Sequence, residues 1–386
     1  RRKIIVSTNI AETSLTVDGV SLIIDTGMAK KASFDPTRGI NVLLSQPICK
    51  SSADQRAGRA GRTSDGYCLR LWTSAEHQRK EEFEPPEISR LDLAELYLNI
   101  LSIDERPDSL VWFDELPESS LERASATLTS LGAIEDNGII SSRGMELAQI
   151  PLHPKLGNAL LRAVHFNCLP AVALIFALSE ERSPLDSKNL DKFSMPTQAG
   201  SSVDLGESEL LALLIAYEKA LEVRFEPERC RQLGIHGLRF REAEKVAEKL
   251  CKQIGHSYEF EFPKYEDLIR VLIMSFPENV ARLRNRGTSM YETLRGKTIR
   301  LPRHSLLRKA DWVFGMRILE KTIKGSVGLE MTWVTPLSLP LVEDCFEHEI
   351  SQEEKVVLDL DTRKVVRRKF DRLGILFFNQ SESDQV

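Results

Sequence analysis

The sequence lacks an apolar run long enough to cross a lipid bilayer, which takes about 20 consecutive apolar residues. Its longest apolar candidate is the short stretch 170–178. It also lacks any C-x-x-C pair, because its six cysteines are scattered along the chain, so neither a disulfide framework nor a zinc site is indicated. We therefore predict a soluble, cytoplasmic protein with reduced thiols and no membrane partner.

The chain also lacks an overall positive charge, since 52 Lys and Arg face 57 Asp and Glu for a net charge of −5. That balance argues against wholesale coating of nucleic acid. The charge is nevertheless uneven: residues 1–70 hold eleven basic side chains against six acidic, and residues 281–309 hold nine against one. A local basic surface of this kind is the usual footprint of nucleic-acid backbone binding.

A third absence is a phosphate loop, because no G-x-x-x-x-G-K-[ST] occurs. Gly296-Lys297-Thr298 ends like one, but Tyr291 stands where the first glycine belongs. We therefore predict that this polypeptide does not hydrolyse a nucleoside triphosphate by itself. At 386 residues it is long enough for three or four domains.

What the chain does carry is the stretch QRAGRAGR at residues 55–62. On one helix, that spacing places Arg56, Arg59 and Arg62 near a common face, where Gly58 and Gly61 allow a phosphate or another backbone to approach. A merely solvated basic helix is the alternative, but glycine costs about 1 kcal/mol against alanine inside a helix. The planar guanidinium suits phosphate oxygens, so the stretch predicts a phosphate-binding element.

Upstream lies IIVSTNIAETSLTVDGV at residues 4–20. The β-branched run 4–6 predicts a buried strand that leads into a turn rich in hydroxyl groups, and residues 20–24 predict a second strand ending at Asp25. Polar groups at the ends of such strands are where open α/β sheets bind ligands.

Together these two blocks resemble motifs V and VI of the DEAH/RHA family of superfamily 2 helicases, and the order of later segments is similar to bacterial HrpB-type ATP-dependent helicases. The resemblance runs over essentially the whole chain and is sharpest in residues 4–73. It implies the C-terminal part of an ATP-dependent RNA helicase, cut from a longer protein. The parent's phosphate loop, DEAH box and Mg²⁺ ligands are then expected upstream of Arg1, since the DELP stretch 114–117 lacks the histidine.

The resemblance also implies site residues, with ATP and Mg²⁺ as cofactor. Gln55 would orient the attacking water, while Arg59 and Arg62 would reach the γ-phosphate. Arg56 would face the nucleotide or form an internal salt bridge. Residues expected to meet the nucleotide from motif V are Ser14, Thr16 and Asp18, with helix capping as the alternative for Ser14.

Contacts with single-stranded RNA, with DNA as the alternative, are expected in three places. Motif V offers Thr8 and Asn9, whose polar groups bond phosphate without reading the base. Residues 28–44 predict a hairpin with its turn at 35–39. The resemblance implies that this hairpin, which carries Lys30 and Arg38, helps to part strands, with an ordinary surface hairpin as the alternative. In the basic segment, Arg284 and Arg286 would line the RNA exit or merely solubilise the surface. Tyr291 and Trp312 could stack bases, or Trp312 could belong to the core.

The predicted fold is multidomain, with α/β, α and β parts. We predict the C-terminal portion of a second RecA-like domain (1–83), a winged helix (84–150), a helical ratchet-like domain (151–260) and an OB-like β-barrel (261–386). The strands and helices expected beyond the arginines are a closing strand at 66–72, helices at 89–101, 121–131, 155–167, 171–181, 208–223, 239–254 and 265–276, and strands at 298–301, 312–319, 328–335, 355–360 and 364–369.

Some details of these elements are also predicted. Ser119 and Glu122 form a capping-box pattern before the 121–131 helix, which Gly132 would close. Asp136-Asn137-Gly138 predicts a tight hairpin, and the polar tail 379–386 predicts frayed chain. Two other functions remain open: a non-catalytic nucleic-acid-binding or adaptor module, and a DNA-specific helicase.

Overall fold

The computed structural model describes residues 3–13, 17–35, 40–62, 64–179, 183–195, 203–323, 326–359 and 364–385. The chain divides into two compact units, Arg1–Gln149 and Ile150–Val386. The four domain boundaries predicted from the sequence stay predictions. Within the described ranges, no helix is both long and apolar enough to span a membrane.

The first unit combines short helices with two small sheets. Its helices are α1 (Ile10–Thr13), α2 (Lys50–Ala57), α3 (Ser74–Gln78), α4 (Glu87–Arg90), α5 (Ala94–Ser102), α6 (Glu118–Ser130) and α7 (Ser142–Ala148). Its strands are β1 (Leu22–Asp25), β2 (Met28–Asp35), β3 (Ile40–Pro47) and β4 (Tyr67–Arg70).

Strands β1 and β4 form a parallel pair in which Leu22 faces Tyr67 and Asp25 faces Arg70. This confirms both strands predicted around the arginine stretch, and it places their carboxyl ends side by side. In an open α/β sheet that edge is the usual place for a ligand.

The buried strand predicted at residues 4–6 is wrong, because Ile4 and Val6 are 91% and 93% exposed and lie outside any described strand. A β-branched run becomes a strand only when a neighbour accepts its backbone hydrogen bonds. In the described part of this sheet, β1 pairs only with β4, so the run finds no ladder.

The predicted hairpin is confirmed: β2 and β3 pair antiparallel from Met28 opposite Pro47 to Asp35 opposite Ile40. Residues 36–39 of its predicted turn, Arg38 included, lie outside the described residues.

The expectation that the three arginines share one helix is wrong. Helix α2 ends at Ala57, and Gly58 is its C-cap; Arg59 and Arg62 follow in a turn and a bend. Glycine loses more conformational freedom in a helix than any other residue, so two glycines so close together end the helix instead of lending it a smooth face.

The segment 84–150 contains the helices and the tight hairpin expected of a winged helix. The bridge between Ile134 and Ile140 closes that hairpin, and Gly132 and Gly138 both have positive φ. The predicted capping box is wrong, because α6 already begins at Glu118 after Pro117, which places Ser119 inside the first turn. The helix expected at 89–101 is split into α4 and α5.

The second unit begins with helices that the sequence largely predicted. They are α8 (Pro154–His165), α9 (Leu169–Ser179), α10 (Glu209–Glu222), α11 (Pro227–Leu233), α12 (Gly237–Gln253), α13 (Tyr265–Ser275) and α14 (Leu339–Cys345). Helix α9 is buried on every side, which fits its uniformly apolar sequence. Helices α11 and α14 were not predicted.

The rest of the second unit is β-rich. Its strands are β5 (Val280–Leu283), β6 (Met290–Thr293), β7 (Thr298–Arg300), β8 (Trp312–Ile323), β9 (Ser326–Leu337), β10 (Ser351–Asp359), β11 (Lys364–Leu373) and β12 (Leu376–Gln385). The first five close a barrel in the order β5-β6-β7-β9-β8, with β7 and β9 parallel. This confirms a small mixed barrel.

Two expectations about the C-terminal part are wrong. Strands β10 and β11, predicted to belong to the barrel, instead form a separate three-stranded antiparallel sheet with β12. The tail predicted to be frayed continues β12 to Gln385. The neighbouring strand β11 supplies backbone hydrogen bonds to β12, and these bonds do not depend on apolar side chains. Phe378, near the start of β12, is buried against Trp312.

Candidate functional site

Helix α1 lies within the stretch 4–20 that resembles motif V, and it contacts the arginine stretch 55–62. Its start is shaped by two polar residues: the Thr8 hydroxyl accepts a hydrogen bond from the amide of Ile10 (3.4 Å), and the Asn9 carbonyl accepts one from the amide of Glu12 (2.9 Å). These contacts turn the chain after residue 8, so that the Glu12 carboxylate meets α2.

Arg56 is the centre of the contact between these segments. Its Nε lies 2.9 Å from the Glu12 carboxylate, and its Nη1 lies 3.0 Å from Oδ1 of Asp25. The same Nη1 donates to the carbonyl of Met28 at 3.2 Å. One guanidinium therefore joins helix α1, the carboxyl end of β1 and the first residue of the hairpin.

Asp25 is the buried member of this cluster, with 5% of its surface exposed. Its Oδ1 also accepts a hydrogen bond from the amide of Gly27 at 2.9 Å. Among the described residues, its Oδ2 and the Nη2 of Arg56 are buried without a hydrogen-bond partner. Removing either side chain would leave the other charge poorly compensated.

The predicted catalytic residues differ in how much of their surface is exposed to solvent. Arg59 is half-buried, and its Nη2 donates to the main-chain carbonyl of Glu12, so the structure brings it to the end of helix α1. Gln55 and Arg62 are exposed. Arg59 and Arg56 thus meet the same residue of motif V, one through its main chain and one through its carboxylate.

The predicted nucleotide contacts from motif V are only partly within the described chain. Asp18 is exposed in a turn with Gly19, whose φ is +75°. Ser14 and Thr16 lie outside the described residues, and the expectation that Arg59 and Arg62 face them stays a prediction.

The residues predicted to bind nucleic acid occur in both units. Thr8, Asn9 and Lys30 are exposed in the first unit, and Arg284 and Arg286 are exposed in the loop between β5 and β6 of the second. All of them are open to solvent, as a contact with a phosphate backbone requires.

The two rings considered for base stacking are both buried. The Tyr291 hydroxyl donates to the carbonyl of Ala310 at 2.9 Å. Trp312 packs edge-on against Phe378 with ring centroids 5.3 Å apart, and Arg282 lies 5.7 Å from the Trp312 ring centroid. Burial lowers the pKa of Arg282. Tyr291 therefore belongs to the barrel core, and Trp312 belongs to the larger core of the second unit, which confirms the core alternative for Trp312.

A groove of about 610 Å³ lies where β1 and β4 end, and the sequence did not predict it. Its wall includes Gly27, Trp72 and Lys80. Trp72 lies so close to Gly27 that a Cβ there would come within 2.7 Å of the ring, and the Lys80 ammonium sits 4.9 Å from the ring centroid.

Cys49, also on this wall, caps helix α2 by accepting a hydrogen bond from the amide of Ser52. Its burial raises the pKa of the thiol, but hydrogen bonds with Ser51 and Ser52 outweigh burial and bring the pKa below its usual value. In the described residues no cluster of His, Cys, Asp or Glu has the form of a metal site.

Glu12 is the site residue to which sequence reasoning gave no role. A signal was present, since an acidic residue in the motif V stretch is a natural partner for an arginine row of opposite charge. Sequence alone does not show which arginine it meets, because 44 positions separate Glu12 from Arg56.

Comparison with known proteins gives a consistent result. Residues 1–64 match the family described as "Helicase conserved C-terminal domain". The chain is 32% identical over 296 residues to "ATP-dependent RNA helicase DHX33" of Drosophila melanogaster, covering 74% of this chain and 42% of the relative. It is 30% identical over 302 residues to "Pre-mRNA-splicing factor ATP-dependent RNA helicase prp22" of Schizosaccharomyces pombe, covering 76% and 25%.

Solved structures share the fold. The E. coli DExH-box NTPase HrpB matches with a TM-score of 0.65 at 24% identity, over 98% of this chain and 41% of that one. A second structure, E. coli DEAH/RHA helicase HrpB, matches with a TM-score of 0.66 at 24% identity, over 97% and 41%. The chain thus spans less than half the length of the relatives it matches.

Proposed function

We propose that this chain, which is a C-terminal region of a DEAH/RHA helicase, works as part of an ATP-dependent helicase that moves along single-stranded RNA and separates duplexes. The observation that carries the proposal is the double engagement of Glu12. Its carboxylate pairs with Arg56 and its carbonyl accepts from Arg59, so the two motifs meet in space.

In this proposal the arginine row and helix α1 act as a coupled pair. Arg59 would move toward the γ-phosphate of a nucleotide and, because it touches the end of α1, would shift that helix as it moves. Thr8 and Asn9 at the start of α1 would grip the RNA backbone. A change in the bound nucleotide would thereby change how tightly Thr8 and Asn9 bind the RNA backbone.

The chemical roles in this proposal are those that the family resemblance implies. Mg²⁺-bound ATP would supply the transferable phosphoryl group, with its metal ligands on parts of the parent protein beyond this chain. Gln55 would orient the attacking water, and Arg59 and Arg62 would stabilise the charge on the transferred group. Ser14, Thr16 and Asp18 would line the nucleotide side of motif V. Arg56 would act through Asp25 and Glu12 rather than at the phosphate.

For RNA, cationic side chains would add to the hydroxyl and amide groups of motif V. Lys30 and Arg38 on the hairpin, with Arg284 and Arg286 on the barrel loop, would neutralise backbone phosphates. RNA is favoured over DNA because both relatives described above are named as RNA helicases. Parallel unwinding assays with RNA and DNA duplexes at one salt concentration would decide between them.

The test uses the full-length parent protein with an Arg59→Ala substitution. We expect RNA-stimulated ATP turnover to fall by about 10³-fold, the size of effect seen for arginine fingers, while RNA affinity stays unchanged. Arg229→Ala is the matched control, because Arg229 is exposed on α11 and pairs locally with Glu226, three positions before it. Unchanged turnover in Arg59→Ala would refute its role. An unsubstituted protein that binds RNA without any turnover would favour the non-catalytic module.

A further inference from the structure

The carboxylate of Glu84 holds the hairpin β2–β3 from one side through two ion pairs. One oxygen of the Glu84 carboxylate lies 3.2 Å from the Lys31 ammonium on β2, and its other oxygen lies 3.3 Å from Nη2 of Arg90 on α4. A single carboxylate thus links the hairpin to the segment that follows the first α/β part.

Arg90 reinforces that link through the backbone. Its Nη1 donates to the carbonyl of Ala32 on β2, and its Nη2 also pairs with Glu87 at 3.2 Å. The side chains of Lys31, Glu84 and Arg90 are only 12%, 33% and 19% exposed. Ion pairs that are partly shielded from water and share a fixed geometry hold better than isolated pairs on an open surface.

A second attachment lies farther along the same strand. The Arg123 guanidinium of helix α6 sits 5.3 Å from the ring centroid of Phe34 on β2. Arg123 also donates to the hydroxyl of Ser120, a buried residue, at 2.7 Å, which fixes the orientation of its planar group. Arginine suits this position because its flat guanidinium can stack on a ring and still donate in its own plane.

These attachments fall on β2, and β3 is joined to β2 by its ladder and by a hydrogen bond from Gln46 to Ser33 at 3.0 Å. Fixing β2 at Lys31, Ala32 and Phe34 therefore fixes the whole hairpin. A two-stranded hairpin alone is only marginally stable in water, so its orientation depends on what holds it.

We propose that Glu84, Arg90 and Arg123 are positioning residues that lock the hairpin to helices α4 and α6, so that the hairpin and these helices move as one body. The inference rests on the proposed helicase function, in which a hairpin parts strands only if it resists their pressure. None of these three residues is placed in contact with nucleotide or RNA.

The first experiment measures hairpin rigidity without reference to activity. In the full-length parent protein, hydrogen–deuterium exchange of the β2 and β3 amides is compared between Glu84→Gln and Glu82→Gln. The control removes a similar carboxylate two positions away that pairs with Lys50 of α2 at 3.1 Å. We expect about tenfold faster hairpin exchange for Glu84→Gln, the size expected when charge-assisted bonds are lost, and no change for the control.

The second experiment separates mechanical work from chemistry. Glu84→Gln and Arg123→Ala should lower the RNA duplex unwinding rate about tenfold while RNA-stimulated ATP turnover keeps its wild-type value, because neither residue belongs to the proposed nucleotide site. Adding Arg90→Gln to Glu84→Gln should lower the unwinding rate further, because Arg90 also donates to the carbonyl of Ala32, but by less than the sum of the two single effects, since the two residues share one bridge.

The outcomes distinguish this inference from the function on which it rests. Hairpin exchange that is equal in Glu84→Gln and Glu82→Gln overturns the lock, whatever the protein's activity. Faster hairpin exchange with unwinding unaffected overturns its role in strand separation. A parent protein without ATP turnover or unwinding refutes the helicase proposal, while faster exchange in Glu84→Gln alone still supports the lock.

Discussion

Replacing Arg56 with methionine should destabilise the first unit far more than the same change at Arg62. Methionine keeps the length of the side chain and removes its charge and donors. Asp25 would then keep one hydrogen bond, from the amide of Gly27, to compensate a carboxylate whose side chain is only 3% exposed. Glu12 would lose the cation that ties α1 to α2.

The expected loss is about 3 kcal/mol of local unfolding free energy, the lower end of the cost of removing one member of a buried ion pair. The lower end applies because Glu12, at 16% exposure of its side chain, is reached by some water. Arg62→Met should change the free energy by less than about 0.5 kcal/mol, as usual for an exposed position.

Hydrogen exchange of the β1 amides is the suitable measurement, because the four tryptophans are divided between both units and their fluorescence would mix the two. A loss of about 3 kcal/mol corresponds to exchange faster by about two orders of magnitude. Adding Asp25→Asn should recover part of the loss, since a neutral amide no longer needs a cation. If Arg56→Met leaves exchange unchanged, or Asp25→Asn gives no recovery, Arg56 is not the internal tie described above.

Three further expectations concern other parts of the chain. Glu209→Gln should lower the unfolding free energy of the second unit by about 3 kcal/mol, because this buried carboxylate accepts hydrogen bonds from the Ser305 hydroxyl and from two backbone amides. Denaturant unfolding measures this loss, and a value below about 1 kcal/mol would contradict the prediction. Gly144→Ala should destabilise the first unit by at least about 2 kcal/mol, since its Cβ would lie 2.1 Å from a backbone oxygen, whereas Gly61→Ala, with no atom within 4 Å, should be neutral in the same assay. Arg284→Ala should reduce the slope of log affinity for RNA against log salt by about 1 without changing sequence preference; an unchanged slope would place Arg284 away from the phosphates.

Sequence periodicity predicted those helices and strands correctly whose pattern fits only one kind of secondary structure. The uniformly apolar α9 was found because burial on every side leaves a continuous apolar run. The strands β1 and β4 were also found, although Leu22 and Ile24 of β1 and Tyr67 and Leu69 of β4 are exposed. The run at residues 4–6 is similarly apolar and exposed, yet it forms no strand. Composition states what a segment prefers, whereas a strand also needs a ladder partner.

Local signals were less reliable at the ends of elements. The Ser119 and Glu122 pattern is a valid capping box in sequence, but Pro117 starts helix α6 earlier, because proline is readily accepted at a helix start. The polar tail was expected to fray, yet β12 runs on beside β11. In both cases a neighbouring residue or strand, invisible to a local pattern, decided the outcome.

The arginine row was found from the sequence, which left Arg56 open between the nucleotide and an internal salt bridge, and the structure shows the salt bridge. Residues three apart on a continuous helix drift by about 60° per step, so even an unbroken helix would not aim all three guanidinium groups at one ligand. Here α2 ends at Ala57, which separates Arg56 from the two that follow. Three cations converging on one phosphate would also repel one another, whereas Arg56 lies between two carboxylates. In the function proposed above, a row that neutralises its first member internally would leave Arg59 and Arg62 for the phosphate, while Arg56 and Arg59 stay linked through their shared contact with Glu12.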